Sequence, residues 1–360
     1  MVNQLSPAQR AINFATLTRQ HELSLPTQSL VENATTSFDI PKVRYLSRVI
    51  LDIVGSYKAI HANSTNIVPA RYAPYEILKQ IKIDLNNGFS PFKVDGASLA
   101  MYNAKNELFP AAVLFPAHVT TTRVPNAFSL TTAPTSGANA SFRFSLDLTA
   151  VINERDPIGL INAQNQEQTI TVSLDVGTVL SGIMNGAAGY STNNVAITCT
   201  PYVQTYTIPQ NDDAKVDDSV LKSVLTQVEA LALIGDNIIK LPRGMTYRSI
   251  IVDLRDANNV GIADSDINLV ELILNQADTP YRWTGRALSA KNAKDLGVTI
   301  PVGTYFILFD YQGIPGGLGG ARDAIDTAEL SEFWLKINTN VVCTARLVLE
   351  QLSILPNVGK

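Results

Sequence analysis

Two cysteines, three histidines and two tryptophans among 360 residues leave little material for several kinds of chemistry. Cys199 and Cys343 are too few for a disulfide scaffold, and both fall in alternating apolar runs that read as buried thiols. His21, His61 and His118 lie in separate segments with no Cys, Asp or Glu at ligand spacing, so no zinc site is expected. Charge is also scarce, at 17% of residues against a typical ~25%. Beside a 46% hydrophobic share, that shortage excludes a disordered chain. It points instead to a surface that meets other surfaces, because interface cores are depleted in charge. With 28 basic and 32 acidic residues the net charge is -4. A chain that neutralises phosphates needs a basic surplus, so direct nucleic-acid binding is not expected. Long apolar runs are missing too: Leu108 to Val119 is broken by Pro110 and Pro116, short of the ~18 residues of a span. Met1 to Leu30 has no apolar signal core and no cleavage site. The expectation is a soluble protein, made inside a cell and kept there or released by lysis.

What is present is a change of period along the chain. Ser6, Pro7 and Gln9 form a helix start, with Ala11, Phe14, Ala15 and Leu17 on one face and Arg10 and Arg19 elsewhere. Leu25 to Asp39 is polar and irregular, an extended arm. After Pro41 the period becomes two: Val43 to Ile53 alternates as a strand that Gly55 ends, and Ile77 to Leu85, Ser141 to Leu148, Thr169 to Val176 and Val195 to Thr207 follow. An acidic linker at Pro209 to Asp218 precedes a second predicted helix, whose stripe is Leu221, Val224, Leu225, Val228, Leu231 and Ala232, stopped by Gly235. Strand patterns then resume at Tyr247 to Leu254, Ile267 to Leu274, Thr304 to Asp310, Glu332 to Ile337 and Val341 to Ile354. A length of more than twice ~150 residues predicts two domains. Short strands between turn-rich loops make them antiparallel β-sandwiches, each preceded by a helix.

Motifs for catalysis are incomplete. Gly96-Ala97-Ser98-Leu99-Ala100 lacks the last glycine of a nucleophile elbow. Asp264-Ser265-Asp266-Ile267-Asn268 opens like a calcium loop but has Leu269 where the turn glycine belongs and Asn275 at position twelve, leaving at most a weak ion site. The glycine cluster Gly313 to Gly320 has no Lys-Ser or Lys-Thr pair after it and reads as a turn. Trp283 and Trp334 fit a core or an interface as well as a sugar site. No cofactor and no metal are expected, and no enzyme emerges.

From Phe38 onward the chain resembles a known family. Phe38-Asp39-Ile40-Pro41-Lys42-Val43-Arg44-Tyr45-Leu46-Ser47-Arg48-Val49 is similar to the entry into the first jelly roll of major capsid proteins of tectivirus-like phages. Pro69 to Gly88, Gly96 to Asn103 and Asp156-Pro157-Ile158-Gly159-Leu160-Ile161 continue in the same order. The resemblance implies an all-β double jelly roll, two eight-stranded antiparallel sandwiches with an N-terminal helix and an inter-domain helix. Its divisions are a helix and arm over 1–37, a first roll over 38–210, a linker and helix over 211–236 and a second roll over 237–360. It implies a major capsid protein, not an enzyme, whose pseudo-hexagonal homotrimers tile an icosahedral shell over an internal lipid membrane in the virion. Synthesis would be in the cytoplasm of a bacterial host, with relatives infecting Gram-positive bacteria. Partners would be the chain itself, neighbouring trimers, and minor capsid, vertex and membrane proteins. Arg10, Phe14, Leu17 and Arg19 would face inward, toward membrane or protein. The residues read alone keep two rivals open, a carbohydrate-binding spike or receptor-binding sandwich and a sandwich-fold glycoside hydrolase, the latter needing two carboxylates ~5 to 9.5 Å apart.

Overall fold

The computed structural model describes residues 7–61, 69–85, 88–106, 126–129, 132, 137–152, 157–164, 169–185, 189–211, 214–215, 219–275, 278–296, 300–309 and 324–354. The chain opens with helix α1 (Pro7–Leu17) and strands β1 (Gln20–Ser24), β2 (Gln28–Leu30) and β3 (Thr35–Asp39). There follow β4 (Tyr45–His61), β5 (Leu78–Leu85), β6 (Phe92–Val94), α2 (Gly96–Asn106), β7 (Ala127–Phe128), β8 (Ala138–Thr149), β9 (Ile161–Asn162), β10 (Ile170–Val176), α3 (Val179–Ile183) and β11 (Tyr190–Tyr206). The remaining elements are β12 (Val220–Leu231), β13 (Gly235–Lys240), β14 (Thr246–Arg255), β15 (Ile267–Leu274), β16 (Asp278–Trp283), α4 (Gly285–Leu296), β17 (Thr304–Leu308), β18 (Ile325–Asp326), β19 (Phe333–Thr339) and β20 (Cys343–Ile354).

Three sheets are built from these strands. The first runs β1-β11-β4-β8-β7, with β2 also on β11 and β9 on β4. The third runs β13-β19-β15-β16. Between them a nine-stranded sheet runs β17-β14-β20-β12-β6-β5-β10-β3, with β18 on β14. Alternating residues of the first sheet, such as Val49, Leu51, Phe142 and Phe144, share a core with Ile81, Ile83, Val172 and Leu174 of the middle sheet, forming one jelly roll. Leu272, Leu335 and Ile337 of the third sheet share another with Ile250, Val252, Leu347 and Leu349, forming the second. A single strand junction joins the halves of the middle sheet. There β12 pairs in parallel with β6, through Val224 opposite Phe92 and Leu225 opposite Lys93.

The strand periods are recovered, with three corrections. The predicted inter-domain helix is strand β12, paired over its whole length with β20 from Val220 opposite Ile354 to Leu231 opposite Cys343. Its three- and four-residue apolar spacing arises because Lys222 and Ser223 are buried polar residues while Val228 is exposed, which conceals a period of two. Gly55 does not end β4, which continues to His61. Phe142 stands opposite Gly55 on β8 and its ring fills the missing side chain's place: a Cβ there would lie 2.1 Å from the ring. The arm over Leu25 to Asp39 contains two paired strands, β2 on β11 and β3 on β10. Helices α2 and α4 were not expected; Asp95 caps the first by accepting from the Ser98 N–H at 2.7 Å, and Thr284 caps the second through Ala287.

The Gly55 contact is directly testable. Gly55→Ala forces the Phe142 ring to move and costs about 1–3 kcal/mol in urea unfolding. In a Phe142→Ala background the same substitution loses most of that cost.

Candidate functional site

The chemistry-bearing side chains converge on the seam where the first roll covers the outer face of the second. Period-two alternation sends Ile250, Val252 and Leu254 of β14 into the second roll's own core, so Ser249, Ile251 and Asp253 face the other way. The same holds for Val348 and Glu350 on β20 and for Phe306 and Leu308 on β17. That outward face is buried: Ile251, Phe306, Leu308 and Val348 belong to the first roll's core, alongside Ala97, Leu99, Ala100, Met101 and Tyr102 of α2.

Three polar clusters cross the seam. In the first, Glu350 is the shared acceptor. Tyr102 Oη donates to its Oε1 at 3.2 Å, Ser249 Oγ to its Oε2 at 2.8 Å and Arg248 Nη1 to its Oε1 at 3.1 Å, and Lys105 Nζ binds its Oε2 more closely still. Arg248 reaches this face because it is the extra residue of a β-bulge between Tyr247 and Ser249, which turns its side chain from the strand's alternation. Arg248 Nη1 also donates to Ile152 O at 2.7 Å, and Lys222 Nζ donates to Val151 O at 2.8 Å, so two second-roll cations bond to main chain of the first roll. Burial alone would raise the Glu350 carboxyl, but Lys105, Arg248 and Lys222 together hold it well below the usual carboxylate range. Lys222 is pushed the other way: burial takes its ammonium down to about 7 against the attraction of Glu350, and Arg248 and Lys105 add repulsion.

The second cluster centres on Asp253, which is fully buried. Its Oδ1 accepts from Arg71 Nη2 at 2.8 Å and from Tyr72 Oη at 2.7 Å, and Thr304 Oγ1 lies 2.7 Å from the same phenol. Burial, then the Asp253 charge, raises the Tyr72 phenol. In the third, Asn259 Nδ2 lies 3.4 Å from both Glu76 oxygens, Asn185 Nδ2 donates to Asn258 O at 2.7 Å, and Arg346 Nε stands 3.4 Å from Asp95. Burial raises the Glu76 carboxyl, with Arg346 opposing it.

The residues singled out from sequence lie elsewhere. Phe14 is buried at the end of the first roll, its ring 5.5 Å from Tyr206 and 6.4 Å from Tyr45. Leu17 and Arg10 are exposed. Arg19 follows the helix, exposed, with its backbone N–H donating to Thr207 Oγ1 at 2.8 Å. Of the four, Phe14 packs on its own roll and the other three are exposed. Ser98 of the elbow-like motif is buried inside α2. Asp264 accepts from Tyr305 Oη at 2.5 Å within a single 3-10 turn. Cys199 and Cys343 are free buried thiols, and burial pushes Cys199 up to about 12. Trp283 and Trp334 are half-buried, the former stacked on Tyr281 at 5.6 Å. No group of three His, Cys, Asp or Glu suited to a metal occurs among the described residues. His118 and Gly313 to Gly320 lie outside them.

No family model matches the chain, and no curated protein matches it. Solved structures do. The crystal structure of the STIV major capsid protein superposes with a TM-score of 0.66 at 13% identity, covering 93% of this chain and 97% of that one. The major capsid protein P2 of bacteriophage PM2 gives 0.54 at 13% identity, over 95% of this chain and 100% of that one. A chain of the PBCV-1 virus capsid gives 0.63 at 10% identity, over 93% of each. Likeness over the full length of both chains, at identities this low, is likeness of fold: the chain is a double jelly roll.

The first cluster carries a stability prediction. Glu350→Gln leaves Lys105 and Arg248 facing a neutral amide, with Lys222 added when it is protonated, and costs about 3–5 kcal/mol in chemical denaturation. Arg143→Ala, at the largely exposed pair with Asp52 (3.4 Å), costs less than about 1 kcal/mol.

Proposed function

We propose that this chain is a viral major capsid protein that self-assembles into a shell. The observation that supports the reading best is the whole-length match, in which both rolls and the sheet that joins them align with capsid proteins from end to end. Fold alone does not set function, so the physical properties matter. Two rolls fused through one sheet give a subunit with two similar sides, and three copies arranged head to tail close into a pseudo-hexagonal ring. A net charge of -4 suits a protein that encloses a genome without binding it. In the finer reading these trimers tile an icosahedral shell over an internal membrane, as in tectivirus-like phages, with minor capsid, vertex and membrane proteins as further partners. Synthesis would be in the bacterial host's cytoplasm, and the two rolls would divide within residues 211–236, ahead of β12.

Within that reading α1 is a contact element. Its hold on its own roll is the small cluster of Phe14, Tyr45 and Leu160, while Ile12 and Leu17 are 65% and 55% exposed. An exposed apolar stripe beside Arg10 is suited to a neighbouring subunit, a membrane protein or a lipid surface. Removal has to stop before Gln20, because β1 and β2 pair with β11.

Two measurements test this. Native mass determination and electron microscopy of the purified full-length chain give three-copy particles with a hexagonal outline; monomers at all concentrations overturn the proposal. Deleting Met1 to Thr18 leaves the far-ultraviolet dichroism of a β protein and lowers the yield of assembled particles, whereas equal assembly removes the role assigned to α1.

A further inference from the structure

Lys222 stands out among the buried charges because its position serves no apolar packing need and its counter-ion is already engaged. It is 3% exposed, on a strand whose next inward residue, Val224, is fully buried against β6. Several of the described elements around it contribute a group. From β20 comes Glu350, bound by Lys105 and Arg248; from β14, Arg248; from α2, Lys105 and Tyr102, whose ring centroid is 5.4 Å from the ammonium. The segment after β8 contributes the carbonyls of Val151 and Ile152, one to Lys222 and one to Arg248. Among the described residues three cations gather around Glu350 in a dry site, and the contacts of Lys222 are a carbonyl dipole and an aromatic face.

We propose that Lys222 is a proton-operated latch between the two rolls: neutral, it bonds Val151 across a tight seam, and charged, it pushes against Arg248 and Lys105 and loosens it. The sign follows from linkage. Burial pushes the folded-state amine down to about 7, while in the unfolded chain it keeps the ordinary lysine value of ~10.4. The unfolded chain therefore binds more protons over that window, and stability rises as pH rises through it. The contribution is complete above the unfolded value and is lost as pH falls through about 7. One proton gives about a tenfold gain in the folded-to-unfolded ratio between pH 6 and 8. The device belongs to the subunit itself and holds whether or not the chain forms a shell.

The test is a difference profile on the full chain. Urea unfolding of wild type and Lys222→Met from pH 6 to 8 cancels the histidines and carboxylates common to both. Wild type is expected to gain about tenfold in folding equilibrium relative to the variant, and the hydrogen-exchange protection factor of the Val224 N–H, which donates to Pro91 O across the seam at 2.7 Å, should rise with it over the same range. A constant difference between the two proteins overturns the proposal. Should Lys222→Met not fold, selective carbon-13 labelling of lysine in wild type decides it: a Cε resonance titrating near pH 7 supports the latch, and no lysine titrating below pH 9 sinks it.

Discussion

A sheet buried on both faces has no water-facing side on which to place its polar residues, and strands β14, β17 and β20 are in that position. One face closes the second roll's core; the other lies under α2 and the turn carrying Arg71 and Tyr72. The apolar part of this second burial joins the rolls: Ile251, Phe306, Leu308 and Val348 are removed from water by residues that precede them in the chain by well over a hundred positions. The polar part must then be matched group by group, since a buried carboxylate or cation left alone costs several kcal/mol.

The matching is unequal along the seam. Asp253 meets a guanidinium, a phenol and a hydroxyl, and the cluster of Glu76, Asn259, Arg346 and Asp95 mixes charges of both signs. Among the described residues, three cations gather around Glu350. Replacing such a network by apolar side chains is often neutral or stabilising, so its contribution is not chiefly energetic. It fixes position. Each cluster ties a named residue of the first roll to one of the second, and a slip of one residue along β14 or β20 would carry Asp253 or Glu350 into the opposite, apolar core.

Much of the framework was legible in sequence because one-face burial writes itself as alternation. Phe142, Phe144, Leu146 and Leu148 on β8 are buried, while Ser141, Arg143, Ser145 and Thr149 are not. Legibility failed where the second partner was hidden. Lys222 and Ser223 look like the polar side of a helix only if nothing is known to cover them, and Gly55 looks like a stop only if Phe142 is not known to stand opposite. The seam had a faint signature of its own: Asp253 between Val252 and Leu254, and Glu350 after Leu347-Val348-Leu349, are charges inside apolar runs. Their partners, Arg71 and Lys105, come from segments that carry no such mark, and only the topology brings them together. The capping aspartate before α2 was readable, but a helix buried all round has no amphipathic stripe to announce it.

The scarcity of charge also acquires a more specific cause. A low charged fraction points to surfaces that meet other surfaces, and one such surface lies within the chain, where the two rolls meet through a shared sheet. Part of the deficit is therefore consumed internally. In the proposed shell, contacts between subunits fall to the faces the seam leaves free, the outer sides of the first and third sheets. There Val54 and Tyr202 stand exposed on β4 and β11, and Ile238 on β13, among residues that alternate with the two cores. These positions are apolar without being required to be so by either core. Covering by other copies in the proposed shell would give their lack of charge a physical reason that burial within one subunit does not supply.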